Sequence, residues 1–155
     1  MRTIFILMVG ILFLTACKGD DDNNPVTPDI AGKWKVTKIT SEMTTSSIYA
    51  IGEGIDYNGY MTFESNPNKV FGEGEVLLEI KMYIDGVLVE TMQQTISLAN
   101  QFETGQWEIS GNNLTLSGQN SDVTMTITEI NNNTMKLTYT PTDTNVVKYE
   151  FTRIN

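Results

Sequence analysis

Between Lys33 and Ile154 apolar and polar positions alternate in short runs, such as Leu78-Glu79-Ile80-Lys81-Met82 and Val123-Thr124-Met125-Thr126-Ile127. A period of two is the mark of a strand with one buried face, and threonine, β-branched and aromatic residues fill these runs. The runs predict nine strands, near Lys33–Thr40, Tyr57–Glu64, Glu75–Ile84, Val87–Leu98, Gly105–Ser110, Asn113–Ser117, Asp122–Ile130, Thr134–Thr140 and Val146–Ile154. Residues Ser41 to Ile55 fit a loop, a short helix or a weak strand around Ile48 to Ile51. Beyond the first sixteen residues no window has a helical period, and no repeat of fixed length stands out.

Turn chemistry sets the expected register. Asp85-Gly86 is a type I′ pair. A two-residue loop there puts Ile84 opposite Val87, Met82 opposite Val89, Ile80 opposite Thr91 and Leu78 opposite Gln93. The other face then brings Lys81 to Glu90 and Tyr83 to Leu88, so one face is apolar near the turn and the other gains an ion pair. Around Gly111-Asn112, Ile109 faces Leu114 and Trp107 faces Leu116. Around Asn131-Asn132-Asn133, Ile127 faces Leu137 and Met125 faces Tyr139; Leu137 and Tyr139 then meet Tyr149 and Val147. Neighbouring strands joined by short turns make an antiparallel meander, which closes into a barrel or folds into a sandwich to remove exposed edges.

The first sixteen residues follow another rule. Arg2 precedes an apolar run, Ile4 to Leu14, of signal-peptide length and too short to span a bilayer. Leu14-Thr15-Ala16-Cys17 ends it at the chain's only cysteine. This resembles the lipobox of bacterial lipoproteins, which implies cleavage before Cys17 and attachment of lipid to its sulfur. Several acyl chains make a stable anchor where one is marginal. Lys18 to Asp29 then reads as an acidic, proline-containing tether without an apolar cluster. The Cys-Lys-then-Asp order also resembles the export signal of Bacteroidetes-type surface lipoproteins. The expected organisation is a signal peptide at 1–16, an acylated Cys17 and tether at 17–29, and one domain at 30–155, held at the outer membrane, with the acidic run read either as a signal for exposure at the cell surface or as a solvated linker that merely avoids the membrane.

Composition narrows the chemistry. The formal charge is −9, and losing Arg2 takes it to −10, with nine scattered Lys and Arg left. No basic patch is available for a phosphate backbone, so no nucleic-acid partner is expected. The chain has no histidine, and Cys17 is committed to lipid, which removes His-dependent triads, thiol nucleophiles and His- or Cys-built metal sites. Glu79, Glu90, Glu108 and Glu150 read as surface acids on alternating strand positions, and no phosphate-cradling or nucleophile-elbow motif occurs. No catalytic residue, metal or cofactor is expected.

Two motifs point to a family. Gly32-Lys33-Trp34 opens the domain, and Gly105-Gln106-Trp107-Glu108-Ile109-Ser110-Gly111-Asn112-Asn113-Leu114-Thr115-Leu116 forms its central hairpin. Both resemble the signatures of lipocalin-like lipoprotein domains, over roughly Ile30 to Ile154. The resemblance implies an all-β antiparallel meander closing into a lipocalin-like β-barrel of eight to ten strands. It also implies that Arg153 packs over Trp34 as a cation–π contact to close the floor. Closure of that kind needs an even strand count. With nine, either Ser46–Ile51 adds a strand or one of the nine is false, and the Asp85-Gly86 hairpin reads as an insertion. The resemblance further implies a small hydrophobic ligand, and the inward face set by the hairpin registers puts Ile80, Met82, Val89, Thr91, Gln93, Trp107, Met125 and Tyr139 on the expected barrel lining. The plainer reading of each is a filled core. The alternative function is a protein or glycan interaction module at the envelope with no internal ligand, using Tyr49, Tyr57 and Tyr60 as an aromatic patch.

Overall fold

A computed structural model describes residues 29–102, 105–118 and 122–154. The expected signal segment, Cys17 and the tether up to residue 28 lie outside the described residues. Nine strands form: β1 (Gly32–Thr44), β2 (Ile48–Glu64), β3 (Lys69–Ile84), β4 (Val87–Ser97), β5 (Gly105–Ser110), β6 (Asn113–Ser117), β7 (Asp122–Ile130), β8 (Thr134–Thr142) and β9 (Asn145–Ile154). One helical turn, α1 (Leu98–Gln101), joins β4 to β5.

The sheet runs β2-β1-β9-β8-β7-β6-β5-β3 and closes on itself because β2 also pairs with β3. The fold is therefore all-β, an antiparallel ring of eight strands. The ninth strand, β4, pairs with β3 alone and lies outside the ring. This settles the parity. All nine expected strands exist, Ile48–Ile51 begins β2 instead of adding a strand, and β4 is the extra one. β4 and β5 lie along the same edge of β3, β4 against Glu75–Ile84 and β5 against Lys69 and Val70. They act as one interrupted strand, so β9 still returns antiparallel to β1.

The interruption is α1, which four residues of sequence do not announce. Leu98 is fully buried, and Phe102 just after it is also in the core. Gly59 and Gly72 make room for it. A Cβ at Gly59 would lie 2.5 Å from Leu98 Cδ1, and one at Gly72 would collide with the Leu98 carbonyl. The Gly72 N–H donates to Phe102 O at 3.2 Å. Below this plug the barrel is filled by Trp34, Met61, Phe63, Leu114, Met125, Met135 and Phe151, and no buried polar or charged residue occurs among the described residues. Met125 therefore belongs to the buried core cluster.

The hairpin registers divide sharply. Trp107–Leu116, Ile109–Leu114, Ile127–Leu137, Leu137–Tyr149 and Tyr139–Val147 all pair as the turns predict. The β7–β8 ladder keeps the predicted register through Thr126–Thr138 and ends there, one pair short of Met125–Tyr139. At Asp85-Gly86 both residues have positive φ, 49° and 79°, as the type I′ turn requires. Ile84–Val87 and Tyr83–Leu88 pair as expected. Then Val89 is bulged out, and the register slips by one: Met82 meets Glu90, Lys81 meets Thr91, Ile80 meets Met92 and Leu78 meets Gln94. A bulge exchanges the faces beyond it. Val89, Thr91 and Gln93 are thus exposed and do not line the barrel, and the expected Lys81–Glu90 pair is replaced by Lys81 to Glu79 at 3.0 Å.

Candidate functional site

One end of the barrel is sealed. Trp34 is fully buried, and its Nε1–H donates to Ile30 O at 2.8 Å. The Arg153 guanidinium carbon sits 4.3 Å from the Trp34 ring centroid, within cation–π range. Arg153 Nη1 donates to Ala31 O at 2.6 Å and Nη2 to Asp29 O at 2.7 Å, so one side chain ties the last strand to the segment entering the first. Gly32 leaves the space this needs, because a Cβ there would stand 2.9 Å from Nη1.

The opposite end is open. Bulges interrupt β1–β9 after Val36, β1–β2 after Lys35 and β2–β3 after Gly54, and extra residues of this kind bend strands. Tyr57 fills the bend: its hydroxyl donates to Gly54 O at 2.8 Å and accepts from the Ile39 N–H at 3.3 Å. Above it lies a cavity of about 300 Å3. β1 supplies Ile39, Ser41 and Met43; β2, Ala50 and Gly52; β3, Leu78 and Ile80; β4, Gln94 and Ile96; and β9, Asn145, Val147 and Tyr149. Gln101 of α1 completes the wall, next to the buried Leu98 and Phe102. Phe102 packs edge-on to Tyr149 at 6.0 Å, so the floor is aromatic.

The lining is apolar with a few amides and hydroxyls, and it contains no Asp, Glu, Lys or Arg. Its one titratable group is Tyr149. Burial pushes that phenol up to about 12, with the nearby Tyr139 adding to the rise and the Gln101 side chain acting the other way. The cavity wall therefore carries no formal charge at neutral pH.

Of the eight expected lining residues, the structure places only Ile80 on this cavity. Met82 is half-buried on β3 nearer the turn, opposite Glu90. Trp107 is half-buried at the sealed end, edge-on to Phe63 at 6.2 Å, with its Nε1–H donating to Glu64 O at 2.8 Å. It borders a shallow polar groove with Pro67, Asn68 and Glu108 instead. Tyr139 is half-buried and packs on the core cluster. Half of the lining residues the sequence pattern missed come from β1 and β9. Gln94 and Ile96 would have emerged from the same hairpin argument with one bulge inserted.

The expected aromatic patch does not assemble. Tyr57 is tied into the bulge. Tyr60 lies under Lys33 Nζ at 4.9 Å, and Tyr49 leans on Tyr83 at 5.8 Å, eleven residues away along β2.

No curated protein matches the chain significantly. A family model described as a lipocalin-like domain matches residues 30–137, from the segment under Arg153 through β8's buried Leu137, and so covers more than half of the chain. With the sealed floor, the eight-stranded ring and the open apolar mouth, the chain belongs to the lipocalin-like domain family.

Proposed function

We propose that this protein is a non-catalytic binding module that holds a small, neutral, largely hydrophobic molecule in the barrel mouth. The observation that carries this is the uncharged cavity of about 300 Å3 above a solid core. Its size lies at the small end of ligand sites, roughly 300–1,000 Å3. An ionic ligand would have to leave water for a wall without a counter-charge, which is costly. A neutral molecule with one or two hydrogen-bonding groups finds Ser41, Gln94, Gln101 and Asn145. The lining offers no carboxylate or amine for proton transfer at neutral pH, which favours binding over catalysis.

Lipid on Cys17 would hold the module to the outer membrane, exposed at the cell surface. The chain enters the barrel at the sealed end, beside Arg153. A tether from Cys17 to Asp29, at about 3.3 Å per residue, would reach at most roughly 40 Å. The mouth lies at the end of the barrel opposite this entry point, and an acidic, proline-containing tether leaves it accessible to molecules outside the bilayer.

Native mass spectrometry of the protein isolated from its own envelope tests this reading. A retained neutral mass is expected on the wild type, and its loss is expected on Ile96→Trp, which fills the mouth from the outermost strand. Wild-type protein that carries no mass, and binds no member of a panel of neutral lipophiles, overturns it.

A further inference from the structure

β4 is a free edge. It hydrogen-bonds to β3 on one side and to no strand on the other among the described residues. Val87 to Thr95 are exposed without a break. Of the eight large apolar side chains exposed among the described residues, five lie on this one hairpin: Ile84, Val87, Leu88, Val89 and Met92. Monomeric proteins defend such edges with lysine or proline. β4 contains neither, and its one charge is Glu90.

We propose that β4 pairs antiparallel with β4 of a second copy of this chain, about a two-fold axis through Met92. The charge pattern selects this occupant. With that axis Met92 meets its own copy, Thr91 meets Gln93, and Glu90 meets Gln94, so the only carboxylate of the strand faces an amide and never its twin. An anionic membrane would meet Asp85 and Glu90 at the hairpin tip, with no Lys or Arg on β4 to draw it in. An isologous contact also extends the sheet without leaving a new edge at the interface. Because Gln94 and Ile96 line the mouth, the two cavities come to lie flank to flank.

The axis makes a sharp test. Directly opposed residues of an antiparallel pair have Cα atoms about 4.5–5.5 Å apart, inside the disulfide range. In the full-length protein extracted in detergent, Met92→Cys is expected to give a disulfide-linked dimer on mild oxidation, at least several-fold above three controls. Those are the wild type, which reports any reaction of Cys17, together with Thr91→Cys and Gln106→Cys. Met92→Lys, at an exposed position, is expected to fold normally and to convert native dimers to monomers by mass. A wild type that stays monomeric at every concentration, or Met92→Cys cross-linking no better than the controls, overturns the proposal. So does a cross-linked product of any mass other than twice the monomer, which would assign the edge to a different partner. None of these outcomes depends on whether the mouth holds a ligand.

Discussion

Gly32 holds a φ of 136°, a conformation L side chains rarely adopt, and a methyl group there would press on Arg153 Nη1 at 2.9 Å. The spacing of Gly32 and Trp34 thus has a mechanical content: the glycine clears room for a guanidinium and the tryptophan supplies the surface beneath it. Arg153→Lys keeps the charge but loses the planar fork and its stacking. It is expected to cost about 1–3 kcal/mol, from the cation–π contact and the two carbonyl bonds together. Gly32→Ala is expected to cost about 1–2 kcal/mol, because it strains the backbone and displaces the same guanidinium. The double variant should lose less than the sum, since both changes break one arrangement. Urea unfolding at neutral pH measures all three, and strict additivity would show that Gly32 and Arg153 act separately.

At the scale of elements, the β3–β4 hairpin carries the largest difference between sequence and structure, and its cause is one residue. Val89 is the bulge, so it is the residue whose removal should make the ladder regular. Deleting Val89 is expected to leave Met82–Glu90, Lys81–Thr91 and Ile80–Met92 paired as they are now. Cross-strand NMR contacts would show this, with little change in thermal stability because Val89 is about half exposed. Contacts of Met82 to Thr91 instead would mean that the register is set elsewhere. The alternation of residues was enough to read all nine strands and most of their pairings, because turn chemistry and one buried face constrain register together. It could not show the bulge, since Glu90, Thr91, Gln93 and Gln94 are all polar and either register leaves an amphipathic strand. The cavity suffered in turn: three of its expected residues lay at or beyond the bulge, and Trp107 and Met125 lay below the α1 plug. The plug is written in Gly59 and Gly72, whose meaning depends on Leu98 arriving from a distant part of the chain.

At the scale of the whole molecule, the barrel divides into a lower half filled by apolar side chains and an open upper half, and Tyr149 stands at the boundary. It is almost fully buried, stacks on Phe151 at 6.1 Å and also lines the cavity. Burial raises its phenol from 10.0 to about 12. In the unfolded chain a tyrosine ionises near its ordinary value of about 10. Below pH 10 both states keep the proton, and the preference for the neutral phenol is fully expressed. As pH rises past 10 the unfolded state loses its proton first, so it is stabilised and folding weakens until the folded phenol ionises near 12. A shift of this size corresponds to roughly 2–3 kcal/mol lost across that window. Other tyrosines and lysines titrate in the same range, so the informative quantity is the difference between wild type and Tyr149→Phe. That difference is expected to stay constant up to pH 10 and then to move in favour of the phenylalanine variant, as read from urea midpoints at successive pH values. Parallel curves through pH 11.5 would mean that water reaches the phenol through the mouth, and that the boundary between the solid core and the cavity lies deeper than Tyr149.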